Sequence, residues 1–259
     1  MRSCIRAFYL TGFLLLVQAG AVSVTPAPAV QDPGGADPDA LYARREDIDS
    51  ARKAEAIWEA RLRANPKGFE VAWKLARVRY WLGGHAPEAE RKNLLERGIE
   101  AGRAAIAAQP DRPQGHFWMA ANMGSLAESF GLRQGLKYRK PIKEALETAL
   151  RIDPAFQQGS PDRALGRWYL KVPGLFGGSD RKAEEHLRRS LTYNPNSTAS
   201  RFFLAEALLE LDRDEEARAE LQKVLDLPVD PDWAPEDRDF KKKAAALLAS
   251  LSSRRDQYS

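Results

Sequence analysis

The side chains best suited to acid–base or metal chemistry are three histidines, His85, His116 and His186. None stands in an H-E-x-x-H arrangement and none has a second histidine one helical turn away. The spacing that lets two imidazoles share a zinc ion is therefore missing. Glu184-Glu185-His186 sets two carboxylates beside an imidazole, but successive helix residues point in different directions and cannot converge on one substrate atom. Gly174-Leu175-Phe176-Gly177-Gly178-Ser179-Asp180 has the glycine content of a phosphate cradle without the G-x-x-x-x-G-K-[ST] spacing, and Asp180 would repel an anion. It reads instead as a glycine-built turn, with Ser179 or Asp180 capping the helix that follows. No nucleophile–base pair and no ligand set emerges, so no catalytic residue, metal site or cofactor is assigned and the chain is not read as an enzyme.

Binding chemistry is better represented. Trp73, Arg77, Tyr80 and Trp81 recur on one side of a helical segment, opposite the apolar stripe Val71, Leu75, Val78 and Leu82. Trp118 and Asn122 take the corresponding positions in a second segment, where the register admits a shift of one residue. Arg163, Arg167 and Leu170 follow in a third, and Phe202, Glu206 and Leu209 in a fourth. Phe176 sits on the connection after the third. Tryptophan beside arginine suits an apolar ligand bearing a carboxylate; the alternative for each aromatic is that it fills space between helices. Arg133, Lys137, Arg139, Lys140 and Lys143 surround Tyr138. That run could contact phosphates or an acidic partner, but it reads as a solvated charged loop.

These side chains need helices to carry them, and the chain supplies helices in repeating pairs. Ala145-Leu146-x-x-Ala149 and Ala183 to Leu187 to Ser190 each place small, large and small residues before a proline, Pro154 or Pro195. This is the second-helix signature of a tetratricopeptide repeat. Small residues let helices approach closely, and proline cannot continue the helix. Stops recur at Pro66, Pro110, Pro154, Pro195 and Pro228, at separations of 44, 44, 41 and 33 residues. Only the last matches the consensus unit of about 34 residues. That unit also has Leu204-Ala205, Leu208, Ala217, Leu221 and Val224 at packing positions. The surplus in the others falls inside each pair, at Gly83–Pro87, Gly131–Pro141 and Lys171–Asp180. Three enlarged loops are therefore expected to gather into a rim that overhangs the concave face and encloses a pocket. A final helix has Phe240, Ala244, Leu247, Leu248 and Leu251 on one side and Lys241, Lys242 and Lys243 on the other, as the end of a stack requires. The fold expected is an all-α, tetratricopeptide-repeat-like helical solenoid of about four helix pairs with flanking N- and C-terminal helices.

Composition narrows the function classes. The net charge of +4 falls to about +2 once Arg2 and Arg6 leave with a leader, too balanced to point to nucleic acid. The one cysteine, Cys4, lies in that leader, so the rest of the chain can form neither a disulfide frame nor a thiolate site. Residues 1–29 read as a signal peptide: a basic flank, an apolar run from Ala7 to Val17, and small-x-small sites at Ala19-Gly20-Ala21 or Ala27-Pro28-Ala29. The run is short of the roughly 20 residues that span a bilayer, which implies no stable membrane insertion after cleavage. Residues 30–46, rich in Pro, Ala, Gly and Asp, read as a flexible linker, 47–251 as the repeat domain with its first helix starting near Asp47, and 252–259 as a tail.

Two family resemblances fit this organisation. Gly124, Gly131, Ala145-Leu146-x-x-Ala149-Leu150-x-Ile152-Asp153-Pro154, Leu165-Gly166, Tyr169, Pro173, Gly177-Gly178 and Ala183 resemble the T-component family of TRAP-transporter-associated proteins. His116-Phe117-Trp118-Met119-Ala120, Leu165-Gly166-Arg167-Trp168, Leu227-Pro228 and Glu236-Asp237 are similar to the regulator of microtubule dynamics family. The first resemblance implies a periplasmic accessory protein with a central apolar cavity, partnering a solute-binding protein and forming a homo-oligomer. The function expected is an exported binding protein that holds a solute-binding protein, an apolar carboxylate, or both. Its alternative is an envelope scaffold for protein–protein interaction with no small ligand.

Overall fold

The computed structural model describes residues 35–258, so the leader expected over residues 1–29 lies outside the described part. Among the described residues there are eleven α-helices, two short 3-10 turns and no strand. Helices α1 (Pro38–Ala43) and α2 (Ile48–Ala64) precede four pairs joined by short turns. These are α3 (Phe69–His85) with α4 (Glu88–Ala108), α5 (Pro113–Ser129) with α6 (Leu132–Ile152), α7 (Phe156–Lys171) with α8 (Asp180–Tyr193), and α9 (Thr198–Glu210) with α10 (Asp214–Asp226). Helix α11 (Ala234–Tyr258) packs on α9 and α10. The architecture is the expected all-α, tetratricopeptide-like solenoid.

The proline punctuation is visible directly. α2, α4, α6, α8 and α10 each end two residues before Pro66, Pro110, Pro154, Pro195 and Pro228. The residue between is non-helical and donates its backbone N–H to the carbonyl four residues back: Asn65 to Arg61 at 2.9 Å, Gln109 to Ala105 at 2.9 Å, Asp153 to Ala149 at 3.0 Å. The clash of a proline ring with the residue before it imposes this stop.

The core is a continuous seam of Leu, Ala and aromatic side chains. Leu204, Ala205, Leu208, Ala217, Leu221 and Val224 are all buried, as are Ala72, Leu75, Ala76, Val78 and Leu82. Close approach depends on missing side chains. A Cβ at Gly102 of α4 would lie 2.7 Å from Met119 Cβ and 2.9 Å from Met119 Cα of α5.

Three expectations need correcting. The enlarged connections are largely absent: α3 joins α4 through Ala86 and Pro87 alone, and α6 begins at Leu132 with Pro141 inside it. The surplus lengthens helices, α4 and α6 having 21 residues each. An internal proline costs about 3 kcal/mol, but Tyr138, Ile142, Ala145, Leu146 and Ala149 are buried along α6, and packing of that stripe outweighs it. Only residues 172–179 form a loop, built around a 3-10 turn at Gly174–Phe176, so no rim of three loops exists. Second, the expected linker holds α1, whose N-terminus is capped by Asp37 accepting from Asp39 N at 3.0 Å. Leu41 of α1 is buried and Tyr42 packs on Trp58, ring centroids 6.0 Å apart. Third, α11 continues through the expected tail to Tyr258.

One segment is strained. Gln157, Gln158 and Gly159, at the start of α7, all have left-handed backbones with φ of 45°, 59° and 81°. Non-glycine residues seldom adopt that region. Gly159 is required there for a second reason, since a Cβ would meet the Tyr193 ring at 2.8 Å.

Candidate functional site: a hollow bridged where the two ends of the array meet

The turn between α1 and α2 reaches across the inner face to the start of α11. Arg45 Nε donates to Glu236 Oε1 at 3.1 Å and Nη2 to Oε2 at 2.5 Å. Nη2 also approaches the Asp232 carbonyl at 3.4 Å, and Arg238 pairs with Glu46 alongside. The Arg45 guanidinium lies over the rings of Tyr42 at 5.0 Å and Trp81 at 5.2 Å, and its backbone carbonyl accepts from Trp81 Nε1 at 2.8 Å. These contacts, rather than a rim of loops, bridge the two ends of the concave face, which bounds a half-open hollow of about 1570 Å³. That exceeds the roughly 300–1,000 Å³ usual for small-molecule sites.

Aromatic rings form much of its wall. Tyr80 tilts against Trp118 at 5.7 Å, Phe117 meets Phe156 edge-on at 5.4 Å, and Phe203 meets Phe240 edge-on at 5.3 Å. The cations on the wall are mostly neutralised. Arg77 faces Asp39 at 3.5 Å and stacks on Tyr42 at 4.0 Å. Arg167 grips Glu128 through Nε at 2.9 Å and Nη2 at 2.7 Å, with Glu206 at 3.7 Å and the Phe203 ring beneath it at 4.5 Å. Arg163 Nη2 donates to Ser160 Oγ at 2.5 Å.

Ionisation follows these surroundings. Burial pushes the Tyr42 hydroxyl up to about 12, against the opposing charges of Arg77 and Arg45. Burial also raises Tyr80, opposed by Arg167. Arg77 is lowered by burial, with Tyr42 and Asp39 pulling the other way. Burial works against Arg167 too, but its hydrogen bonds to Glu128 hold it above its ordinary value. Burial brings Arg163 down to about 10, only partly opposed by Tyr80 and Glu236.

Seven of the eleven residues singled out from the sequence line this cavity: Arg77, Trp81, Trp118, Arg163, Arg167, Phe202 and Glu206. The other four lie elsewhere. Trp73 donates from Nε1 to Glu70 at 2.9 Å beside the Arg77 guanidinium. Asn122 is fully buried between helices, Nδ2 donating to the Ala76 carbonyl at 2.9 Å and to Trp118 O at 2.8 Å. The one-residue ambiguity of α5 thus resolves with Asn122 in the helix contact and Trp118 at the wall. Leu170 lines a second, smaller hollow of about 780 Å³. Phe176 sits on the 3-10 turn with Arg139 over its ring at 5.2 Å.

Tyr42, Arg45, Gln157 and Ser160 belong to the wall or its closure and are not assigned from the sequence. The first two sit in a segment whose prolines and aspartates read as linker, although Leu41-Tyr42 followed by Arg45 is an apolar signal within it. The histidines are scattered: His85 Nδ1 lies 2.8 Å from Trp81 O, His116 Nε2 lies 2.9 Å from Pro110 O, and His186 Nδ1 lies 2.7 Å from Asp162 Oδ1. Among the described residues no group of three His, Cys, Asp or Glu is placed to hold a metal, and no helix is long and apolar enough to cross a membrane.

Comparison with known proteins agrees with this architecture. Residues 37–176 match the model of the regulator of microtubule dynamics protein 1-3 family, and residues 181–251 match a tetratricopeptide-repeat model. No curated protein matches the chain. Among solved structures, the crystal structure of a thermophilic TPR protein in Thermus thermophilus is 25% identical, covering 82% of this chain and 97% of that one, with a TM-score of 0.61. The MamA protein is 16% identical over 79% of this chain and 91% of its own, with a TM-score of 0.48. The chain is a tetratricopeptide-like helical-repeat protein, an architecture consistent with a protein–protein interaction scaffold. Since the first match takes in more than half of the sequence and covers most of the cavity wall, the chain belongs to the regulator of microtubule dynamics protein 1-3 family.

Proposed function

We propose that the protein is an exported binding protein, periplasmic in a bacterial source, that holds an apolar ligand bearing an acid group and presents it to a protein partner. The role fits an accessory component working beside a solute-binding protein, as the T-component resemblance implies. The observation that carries this reading is the Arg45–Glu236 closure over an aromatic-walled space of about 1570 Å³. An unbridged solenoid offers a long groove for an extended peptide, whereas a bridge across the concave face shortens that groove and favours a compact occupant with both apolar and polar groups.

A thermal-shift screen of the protein against hydrophobic carboxylates tests it. Ligand at about 100 times its Kd stabilises by about 2.7 kcal/mol, a shift of several degrees for a domain of this size. Stabilisation by one compound class that disappears in Trp118→Ala supports the cavity reading. No stabilisation by any compound, together with a stable protein partner in a pull-down, supports the scaffold instead. That second reading draws on Leu175, 90% exposed on the 3-10 turn, with Phe176 beside it. An apolar pair displayed on a short turn is a feature that a partner could cover.

A further inference from the structure

Five cations around the cavity each have a carboxylate within the protein. Arg45 has Glu236 at 2.5 Å, Arg77 has Asp39 at 3.5 Å and Arg167 has Glu128 at 2.7 Å. Lys171 has Glu206 at 3.1 Å and Lys243 has Asp239 at 2.6 Å. Arg139 turns its guanidinium to the exposed Phe176 ring. Arg163 differs from the five paired cations. It lies half-buried in the cavity wall, and among the described residues its hydrogen bond is to a neutral hydroxyl, Ser160 Oγ at 2.5 Å. No described carboxylate pairs with it, because the one whose charge it feels, Glu236, is already held by Arg45. A guanidinium has five N–H donors in a fixed fork, and Ser160 uses one of its nitrogens. The remaining N–H groups of this half-buried guanidinium have water in the hollow as their only partner until an anion takes its place.

The arrangement is built rather than incidental. Ser160 Oγ donates to the Gln157 carbonyl at 2.7 Å, so the left-handed turn Gln157-Gln158-Gly159 fixes the hydroxyl that fixes Arg163. Backbone strain of this kind persists only where surrounding structure imposes it. Two further groups lie on the same wall. The Tyr80 side chain, 39% exposed, is close enough to Arg163 that each alters the other's ionisation. Trp118, 5% exposed and 5.7 Å from the Tyr80 ring, has an indole N–H with no acceptor.

We infer that Arg163 is the anchor for the acid group of a single-headed amphiphile, its guanidinium fork taking the anion near Tyr80 and Trp118 while the apolar remainder lies along Phe117 and Phe202. The inference rests on the cavity reading above and deepens it: Arg163 offers its remaining guanidinium N–H groups to one acid group, while Arg139 is turned to the Phe176 ring. Ser160 is the positioning residue for Arg163.

The experiment is titration calorimetry of the protein with dodecanoate, dodecanol and acetate, repeated on Arg163→Met. A charge-assisted hydrogen-bonded pair discriminates by about ten- to a hundredfold. The wild type should therefore prefer dodecanoate to dodecanol by at least about tenfold and should bind acetate far more weakly than either. In Arg163→Met the preference should vanish while dodecanol affinity stays within about twofold, and the ligand-free melting temperature should stay close to that of the wild type, because the half-buried guanidinium loses one hydrogen bond, to Ser160. Should that variant not fold, Arg163→Gln, which keeps a polar partner for Ser160, serves the same comparison. An undiminished preference for dodecanoate in either variant overturns the inference but leaves the cavity standing. Acetate binding as tightly as dodecanoate reduces the site to a bare anion site and overturns it too. A wild type that binds neither dodecanoate nor dodecanol removes the cavity reading and this inference together.

Discussion

Arg45 and Glu236, 191 positions apart, are joined by two side-by-side N–H···O bonds. Arg45 is nearly inaccessible, its side chain 6% exposed, and Glu236 is 26% exposed. A bidentate pair of this burial is worth more than a surface ion pair, and removing one partner leaves the other charge without its counter-ion. Arg45→Met should lower stability to urea by about 1–3 kcal/mol. It should also enlarge the radius of gyration measured by small-angle X-ray scattering, as the closure opens. An unchanged radius with lowered stability would mean that the ends stay together without this pair.

Helix contacts make a sharper stability prediction. Gly102→Ala puts a methyl group 2.9 Å from Met119 Cα, and backbone cannot give way as a flexible side-chain tip can. Overpacking of this kind costs about 1–3 kcal/mol. Gly124→Ala, in α5 with nothing within 4 Å of the added carbon, should instead stabilise by up to about 1 kcal/mol through helix propensity. Urea unfolding of the two variants should move in opposite directions from the wild type.

Asn122 should behave as a structural residue. Its amide ties α3 to α5 through the Ala76 carbonyl and also reaches the Trp118 carbonyl, so Asn122→Ala removes two buried hydrogen bonds and leaves a void, at a cost of about 1–3 kcal/mol. Ligand affinity, measured by titration calorimetry with dodecanoate, should stay within about twofold because Asn122 is not at the cavity wall. A loss of binding without a loss of stability would restore to it the ligand-binding role that its helical spacing suggests.

Acid sensitivity follows from two carboxylates. Burial pushes Glu59 up, but hydrogen bonds and charge from Arg97 and Arg79 outweigh it and hold the group below its usual range. Glu184 is lowered likewise by Arg188 and Arg213 against burial. A carboxylate depressed in the folded state adds stability that is fully present above its unfolded pKa, near 4.3. That contribution is lost as pH falls through the folded value. Stability measured by urea midpoint should therefore hold at neutral pH and fall below about pH 4, and Glu59→Gln with Glu184→Gln should flatten that fall.

Much of the fold is legible in the sequence because its signals are local. Proline stops, small–large–small second helices and the alternation of Leu and Ala are all written within one turn or one pair, and each helix ends where Pro66, Pro110, Pro154, Pro195 or Pro228 requires. Where surplus length goes is not local: Gly131 to Pro141 looks like a loop, and only packing of Tyr138 and Ile142 makes it helix. The cavity is partly legible, since arginine and tryptophan at helical spacing put Arg77, Trp118, Arg163 and Arg167 on one wall. Its closure is not, because the meeting of Arg45 with Glu236 depends on the accumulated curvature of every pair between them. No window of sequence contains that information.

Open stacks of helical hairpins gain and lose modules readily, since each touches only its neighbours. Here two ion pairs bridge the first and last modules, so the bridge ties the tally of modules to the geometry of the stack. Deleting one pair, or inserting a consensus one, would carry Arg45 away from Glu236 on α11 and break the bridge. Extra length that falls within helices, as in the 21-residue α4 and α6, leaves the number of pairs, and so the bridge, intact.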